Sequence, residues 1–426
     1  MAYFDLEAEQ IDISNAFLNA TLDMESPVYC TAPEGFGSKE TAFRLRKALY
    51  GMTKSPKLWY EELLKTLQDL GLLPVGDEPC MCVSEQSKVI VIFFVDDIVV
   101  FYFKEHTKEG KAVISGLKAK YELREGPLSW FLGMRVLRDR ERRTATILHD
   151  FYIEKIGMRF RFTESKGYPT TPLPEGFIPR FEGKTSPEKI KLYQEMIGSI
   201  LYTAIMLRPD VAHAASLLSR FLTNPSPFHR RLAKRVLQYL YGTRFLGIRY
   251  GVTQTIQHLV MASDASFGDD PEIRKSSEGY VMILFGGAIN WRAARQTTVT
   301  TSTTEAKLHA LSKAAKETMA FKRIFRNIRL NLGQPWELYC DNKQTIRLVV
   351  DKNSRISTSL RHVDIQNMWL KQEHARENFT VTYLETELMP ADGLTKPLSL
   401  SKFEHFRALL NLYDAQHEVQ GGSQAR

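Results

Sequence analysis

Seven carboxylates stand out in this sequence because of what flanks them. In VIVIFFVDDIVVFYF, Asp96 and Asp97 sit between two runs of β-branched and aromatic residues. Such runs read as strands buried on both faces, which leaves the turn between them to carry both acids. Carboxylates beside an apolar hairpin are costly unless a cation compensates them, and hard oxygen donors suit Mg2+. The alternative is a solvated Asp-Asp turn. Asp12, in QIDISNAFLNATL, lies where a strand runs into a helix or turn. On the hairpin's own sheet it would face Asp96 and Asp97. Three acids so placed suit two Mg2+ ions, roughly 3.5–4 Å apart, that polarise an attacking 3′-oxygen and stabilise a leaving pyrophosphate.

The other four acids are spread over the last third of the chain. Asp264 ends an apolar run in LVMASDASFG, and Glu305 opens a long helical pattern in TSTTEAKLHAL. Asp341 follows WELYC, and Asp392 lies in MPADGLTKPL at the start of the last helical stretch. Where strand ends and helix starts converge on one edge, four acids demand a metal or protonation. Each also has a plainer reading. Ser302-Thr303-Thr304-Glu305 fits a capping box, and Asp341 and Asp392 fit N-cap acids. The strand–helix–strand–helix order of the four favours convergence.

The elements that must position these acids can be read from the punctuation. Residues 164–187 hold prolines at 169, 172, 174, 179 and 187, too many for a helix or central strand, so an extended connector is expected. Mixed α/β sequence precedes it. Helical patterns follow near 188–206, 210–222 and 228–241, stopped by Pro209, by Pro225 and Pro227, and by Gly242. Leu232, Val236, Leu237 and Leu240 share one face of the third. This stretch reads as all-helical. Beyond residue 256, apolar runs at 259–262, 280–285 and 288–291 precede a helix over 305–330. A strand (336–340), two helices (342–350 and 362–376), a strand (379–384) and a helical stretch (390–411) then complete an α/β domain. The expected fold is a multidomain chain of α/β and α+β class, with boundaries at 1–163, 164–255 and 256–414. A tail, 415–426, ends in GGSQAR and is expected to be disordered.

Composition narrows the partners. With 43% hydrophobic and 11% aromatic residues, the 426-residue chain is neither disordered nor fibrous. Its 57 Lys and Arg against 49 Asp and Glu give +8, which suits a polyanionic partner. Cys30, Cys80, Cys82 and Cys340 form no zinc pattern and are too few for a disulfide framework, so a reducing compartment is expected. Asp96 and Asp97 interrupt the most apolar run, Val89 to Phe103, so no membrane span is expected. The opening MAYFDLEAEQ lacks the basic region of a signal peptide.

Four motifs in series, QIDISNAFLN, RKALYGMTKSPKLWY (46–60), FVDDIVV (94–100) and SWFLGMRV (129–136), resemble the reverse transcriptase core of copia-type LTR-retrotransposon polyproteins. The resemblance implies a partial reverse transcriptase palm in which Asp12 and Asp96 bind the catalytic metals and Asp97 completes the triad. It implies that Phe17 packs under the incoming nucleotide's sugar and excludes a 2′-hydroxyl; a plain core Phe is the alternative. Gly51, beside Leu49 and Tyr50, is expected to let the backbone approach the nascent base pair, unless it is an ordinary turn glycine. Lys54 stands where many relatives have Gln. Phe131, Leu132 and Gly133 resemble the region that grips the primer end, or form a strand and turn. Only eleven residues precede Asp12, so the fingers are expected to be largely missing and primer extension weak or absent without an upstream segment.

The later segments SDASFGDDPEIRKSSEGYVMILFGGAINWRAARQ, TSTTEAKLHAL, CDNKQT, RHVDIQNMWLKQE and ADGLTKPL resemble the ribonuclease H domain of the same polyproteins. The helical connector YQEMIGSILYTAIMLRPDVAHAASLLSRF is similar to their thumb/connection. The implication is an RNase H-like domain in which Asp264, Glu305, Asp341 and Asp392 bind two Mg2+ ions and a metal-activated water cleaves RNA in an RNA–DNA hybrid. Mg2+ is thus the implied cofactor of both sites, with Mn2+ as a substitute. Implied partners are an RNA template, a DNA primer, RNA–DNA hybrid, dNTPs and other subunits from the polyprotein, with no membrane. The implied location is the cytoplasm, in virus-like particles, with the nucleus as a second site. His362 matches a family histidine but is read as hydrogen-bonded or at the surface. Arg274, Lys275 and the clusters RDRERR (138–143) and KRIFRNIR (322–329) either contact phosphates or form solvated faces. The leading expectation is an RNA-directed DNA polymerase/ribonuclease H segment. The alternative is a non-catalytic nucleic-acid-binding remnant.

Overall fold

A computed structural model describes residues 1–422 apart from 24, 33–34, 37–41, 163–166, 252–258, 334 and 355–360. The chain forms two units, Tyr3–Leu132 with Arg323–Asn331, and Gly133–Lys322 with Leu332–Arg426.

In the first unit an antiparallel sheet runs in the spatial order Leu72–Val75, Glu78–Ser84, Val89–Phe94, Asp97–Tyr102, Glu7–Ile13, Leu123–Pro127. The helices Ser55–Asp69 and Thr107–Lys120 share its core. Trp59, Leu63 and Leu67, four residues apart, pack in one cluster with Val113, Ile114 and Leu117 and with Val89, Val91 and Phe93 of the sheet. The Val89–Phe94 strand therefore buries one face more fully than the other. Ile90 and Ile92 are half-buried and Phe94 is 55% exposed. Burial on both faces, as expected from the sequence, is corrected: an antiparallel sheet can leave one face toward solvent.

In the second unit a mixed sheet carries Gly287–Arg295, Ser277–Leu284 and Leu259–Ser266 as an antiparallel set, followed by Glu337–Cys340 and Thr380–Tyr383 in parallel. Parallel neighbours need a crossover, and the helix Thr303–Asn327 lies in the one between Leu259–Ser266 and Glu337–Cys340. Its Leu308, Leu311, Ala314 and Ala315 pack on Met261, Met282 and Leu338. The three expected helical patterns are found as Pro187–Met206, Ala212–Leu218 (with a 3-10 turn at either end) and Pro227–Gly242. A fully buried Arg208–Asp210 ion pair, to which the Tyr239 hydroxyl donates at 2.6 Å, joins the second and third. Within the described part of the connector, 167–186, no helix or strand forms. Asn224 Nδ2 holds it by donating to the carbonyls of Phe181 and Gly183.

Three expectations are corrected here. The module after the connector is not all-helical, because Leu246–Gly251 is a strand. It pairs with Thr144–Leu148 and Leu412–Asp414, which bury its Leu246 and Ile248. The terminal helical stretch is a 3-10 turn, Asp392–Leu394, and a separate helix, Leu400–Leu409; Pro397 lies between them. Residues 415–422 are not disordered: Gln416–Gly422 is a helix, and Ala415 and Val419 are buried against Leu148. Residues 423–426 lie outside the described residues. No helix among the described residues is long and apolar enough to cross a membrane.

Candidate functional site

The first acidic cluster is built by a two-residue turn and one neighbouring strand. Phe94 pairs with Asp97 across the hairpin, so Val95 and Asp96 form the turn. Val95 has φ 58°, a left-handed conformation that a β-branched residue adopts only under constraint. The constraint is visible: the Trp59 indole donates to the Val95 carbonyl at 2.7 Å, and Ile13 N–H donates to the Asp96 carbonyl at 3.2 Å. Asp12 pairs directly with Asp97 across the adjacent strands, so their side chains leave the same face of the sheet. Burial raises the Asp97 carboxyl above its usual range, and Asp96 and Asp12 push it further; Gln10 and the Leu132 N–H act against them. Asp12, Asp96 and Asp97 are therefore brought together. Among the described residues, no Lys or Arg forms an ion pair with any of the three.

Around this cluster the remaining expectations divide. Phe17 lies on the 3-10 turn Ala16–Asn19, half-buried, with its ring 4.7 Å from that of the exposed Tyr50. Gly51 has φ 92° and nothing within 4 Å of the place a Cβ would occupy. Its backbone conformation, rather than a close approach, is what calls for glycine. Lys54 is exposed at the start of the Ser55–Asp69 helix. Phe131 ends the short strand Trp130–Phe131, and Leu132 has φ 51° beside Asp97; Gly133 follows with φ 75°. Sequence reasoning missed Trp59, which pins the turn, and Phe94, an exposed aromatic on the carboxylate face. The signal for Trp59 was its helical spacing with Leu63 and Leu67.

The second cluster has a different composition from the one expected. Asp264, 4% exposed, is on Leu259–Ser266, and Asp341 follows Glu337–Cys340. Met261 pairs with Leu338 in parallel, and three residues further along each chain stand Asp264 and Asp341. Gly279, the cross-strand partner of Asp264, admits the Asp392–Leu394 turn: a Cβ there would lie 2.6 Å from the Leu394 Cβ. Burial raises the Asp392 carboxyl, and Asp264 and Asp341 add to the rise while Lys396 opposes it. Asp264, Asp341 and Asp392 thus converge.

Glu305 does not join them. Its Oε2 accepts from the Thr301 N–H and hydroxyl at 2.8 and 2.7 Å, and its own N–H donates to Ser302 Oγ at 3.1 Å. This is helix capping, the plainer of the two readings. The residue that faces the aspartates is Lys307. Its Nζ donates to Asp264 Oδ1 at 2.6 Å and to Asp341 Oδ1 at 2.5 Å. Side chains two apart on a helix point to different faces, so the helix that turns Lys307 inward turns Glu305 away. Burial works against the Lys307 charge, but Asp264 and Asp341 outweigh it and hold its pKa above the usual lysine value. Lys396 Nζ lies 2.5 Å from Asp392 Oδ1. Both lysines were missed by looking only for acids; the sequence signal was their position two and four residues after Glu305 and Asp392.

Other expected contacts are scattered. Arg274, at φ 54°, and Lys275 lie in the loop before Ser277–Leu284. In 138–143, Arg142 pairs with Asp139 at 3.3 Å. In 322–329, Arg323 pairs with Asp77 at 3.2 Å and Lys322 donates to the Asn378 carbonyl. The side chain of His362 lies outside the described residues.

The two clusters answer the requirement for a metal differently. Among the described residues, no three His, Cys, Asp or Glu side chains are gathered into a ready-made metal cage. The first cluster nonetheless suits hard cations, with three oxygen-donor side chains of which Asp97 feels the charge of the other two, and no lysine or arginine in an ion pair with them among the described residues; Arg124 is the cross-strand neighbour of Asp12. The second does not fit: both Asp264 oxygens are taken, by Lys307 and by the Thr395 hydroxyl at 2.7 Å. Asp341 is likewise taken by Lys307 and by the Thr386 hydroxyl at 3.3 Å.

Residues 4–174 match the family described as reverse transcriptase (RNA-dependent DNA polymerase). The chain is 32% identical over 431 residues to the retrovirus-related Pol polyprotein from transposon TNT 1-94 of Nicotiana tabacum, covering 97% of this chain and 31% of that protein. It is 28% identical over 412 residues to the corresponding polyprotein from transposon RE1 of Arabidopsis thaliana, covering 95% of this chain and 27% of that one. The Ty1-DR5 Gag-Pol polyprotein of Saccharomyces cerevisiae is 26% identical, covering 93% and 23%. The chain thus spans less than a third of the length of these relatives. Among solved structures, the RNase H1 of Halobacterium salinarum NRC-1 is similar at 15% identity and TM-score 0.24, covering 32% of this chain and 93% of that one.

Proposed function

Since the chain belongs to the copia-type retrotransposon polyproteins, as a segment carrying their reverse transcriptase region, we propose that its first unit performs RNA-directed DNA synthesis at Asp12, Asp96 and Asp97. Asp12 and Asp96 would hold the metals, with Asp97 completing the set. When bound, two Mg2+ ions would supply Lewis-acid activation of the primer 3′-oxygen and neutralise charge on the leaving pyrophosphate. The chain's own groups set the geometry for this. Trp59 and Ile13 clamp the strained turn, and Gln10 and the Leu132 N–H orient Asp97. Phe17, backed by Tyr50, would lie under the sugar and disfavour a 2′-hydroxyl, while the exposed Phe94 and Tyr50 offer stacking surfaces for bases. The partners of this reading are an RNA template, a DNA primer and dNTPs, and the second unit would contact the RNA–DNA hybrid. The observation that carries it is Asp12 set opposite Asp97 beside Asp96, with no lysine or arginine among the described residues in an ion pair with any of them, although Arg124 is the cross-strand neighbour of Asp12 on its other side.

Primer extension on an RNA template with Mg2+ tests it. Asp97→Asn is expected to lower the rate by a factor on the order of a hundred or more, with the primer–template still bound. Equal extension by both proteins, or none by the unmodified chain with either Mg2+ or Mn2+ even when an upstream fingers segment from a relative is supplied, overturns the reading.

A further inference from the structure

We propose that Lys307 is the resident cation of the second acidic cluster, a tethered ammonium standing between Asp264 and Asp341 where a divalent ion would have to sit. Asp264 and Asp341 are brought side by side by a parallel strand pair, and Lys307 bridges them with bonds of 2.6 and 2.5 Å. It is no mobile surface residue: the side chain is only 10% exposed.

Charge and valence point the same way. Three carboxylates (Asp264, Asp341, Asp392) face two ammonium groups (Lys307, Lys396), leaving one net negative charge. A divalent ion entering without displacing a lysine would make the cluster positive. A divalent ion displacing Lys307 would take from its largely buried ammonium both of the carboxylates it now bonds, which is unfavourable. The second oxygens of Asp264 and Asp341 also accept from the Thr395 and Thr386 hydroxyls, which fix both carboxylates in the orientation that serves Lys307. Glu305, the one remaining acid of the expected quartet, is spent on the helix cap. The consequence is that this domain does not cut RNA by metal-activated water. This conclusion concerns the second unit alone and stands whether or not the first unit polymerises.

The test is an electron paramagnetic resonance titration with Mn2+, using the full chain carrying Asp12→Asn and Asp97→Asn to remove the first cluster. No saturable Mn2+ binding is expected up to millimolar concentration. Adding Lys307→Glu to that protein is expected to create saturable binding, at least tenfold tighter, that Asp341→Asn then removes. Lys307→Gln, which removes the charge with less steric change, is expected to give an intermediate gain, and circular dichroism checks that each variant is folded. Saturable binding without any Lys307 change, lost on Asp341→Asn, overturns the proposal. Failure of both folded Lys307 variants to gain Mn2+ overturns the role assigned to Lys307.

Discussion

The two acidic clusters differ in who supplies the positive charge. At the first, Asp12, Asp96 and Asp97 stand at a strained turn and on the neighbouring strand, and no lysine or arginine among the described residues forms an ion pair with them, Arg124 being only the cross-strand neighbour of Asp12. At the second, Lys307 and Lys396 reach Asp264, Asp341 and Asp392 from the protein itself. A cluster left with like charges stores repulsion that a bound ion can release. A cluster neutralised from within has already released it, so an ion has little to gain there. Counting acids is therefore a poor guide to a metal site. What matters is whether the fold also sends a cation into the same space.

The sharpest way to break this contrast is Lys307→Met. It leaves Asp264 and Asp341 buried and unpaired, and a loss of about 3–5 kcal/mol is expected when one partner of a buried pair is removed. Urea denaturation measures it. Mg2+ should then recover part of the loss, seen as renewed hydrogen-exchange protection in the Leu259–Ser266 strand, while giving no protection there in the unmodified chain. Equal protection in both would erase the distinction.

Acid gives the next largest effect. His213 is buried against the helical module, and burial, reinforced by Arg220, lowers its pKa from 6.5 to about 4, although a hydrogen bond with the Leu394 backbone acts the other way. Unfolded, the ring binds a proton near pH 6.5; folded, it resists until about 4. The stability this provides is complete above pH 6.5 and is lost as pH falls toward 4. Between pH 7 and 5 a loss on the order of 2 kcal/mol is expected from this group. His149, also lowered to about 4 by burial, adds to the same slope. Thermal melts should show His213→Gln with a flatter pH profile than the unmodified chain. An unchanged slope would remove His213 from the account.

How much of this was legible in the sequence follows from what each signal measures. The carboxylate hairpin and its partner Asp12 were readable because strand alternation fixes faces, and the observed Asp12–Asp97 pair follows from that. The three helices after the connector were readable from their proline and glycine stops. The Leu246–Gly251 strand was not, because its pairing partners lie about a hundred and about a hundred and sixty residues away in the chain. Glu305 was ambiguous because a capping acid and a ligand acid occupy the same helix position. Lys307 settled that ambiguity only once the helix was docked, since rotation about the helix axis is set by packing of Leu308 and Leu311 rather than by local pattern.

The smallest predicted effect probes the first cluster without any ion. Asp97 is held above the usual carboxylate range by burial and by Asp96 and Asp12, so its folded state favours the proton more than its unfolded state does. For a raised carboxyl the sign is opposite to that of His213: stability is present at low pH and declines as pH rises through the unfolded value toward the folded one. Asp12→Asn removes one source of the repulsion and is expected to raise the metal-free stability of the first unit at pH 7 by about 1 kcal/mol or less. The same change should abolish any stabilisation by Mg2+ there. Hydrogen exchange in the Asp97–Tyr102 strand, with and without Mg2+, measures both effects. A metal-free Asp12→Asn chain less protected than its parent would mean that these aspartates are already neutralised within the protein, and the difference between the clusters would vanish.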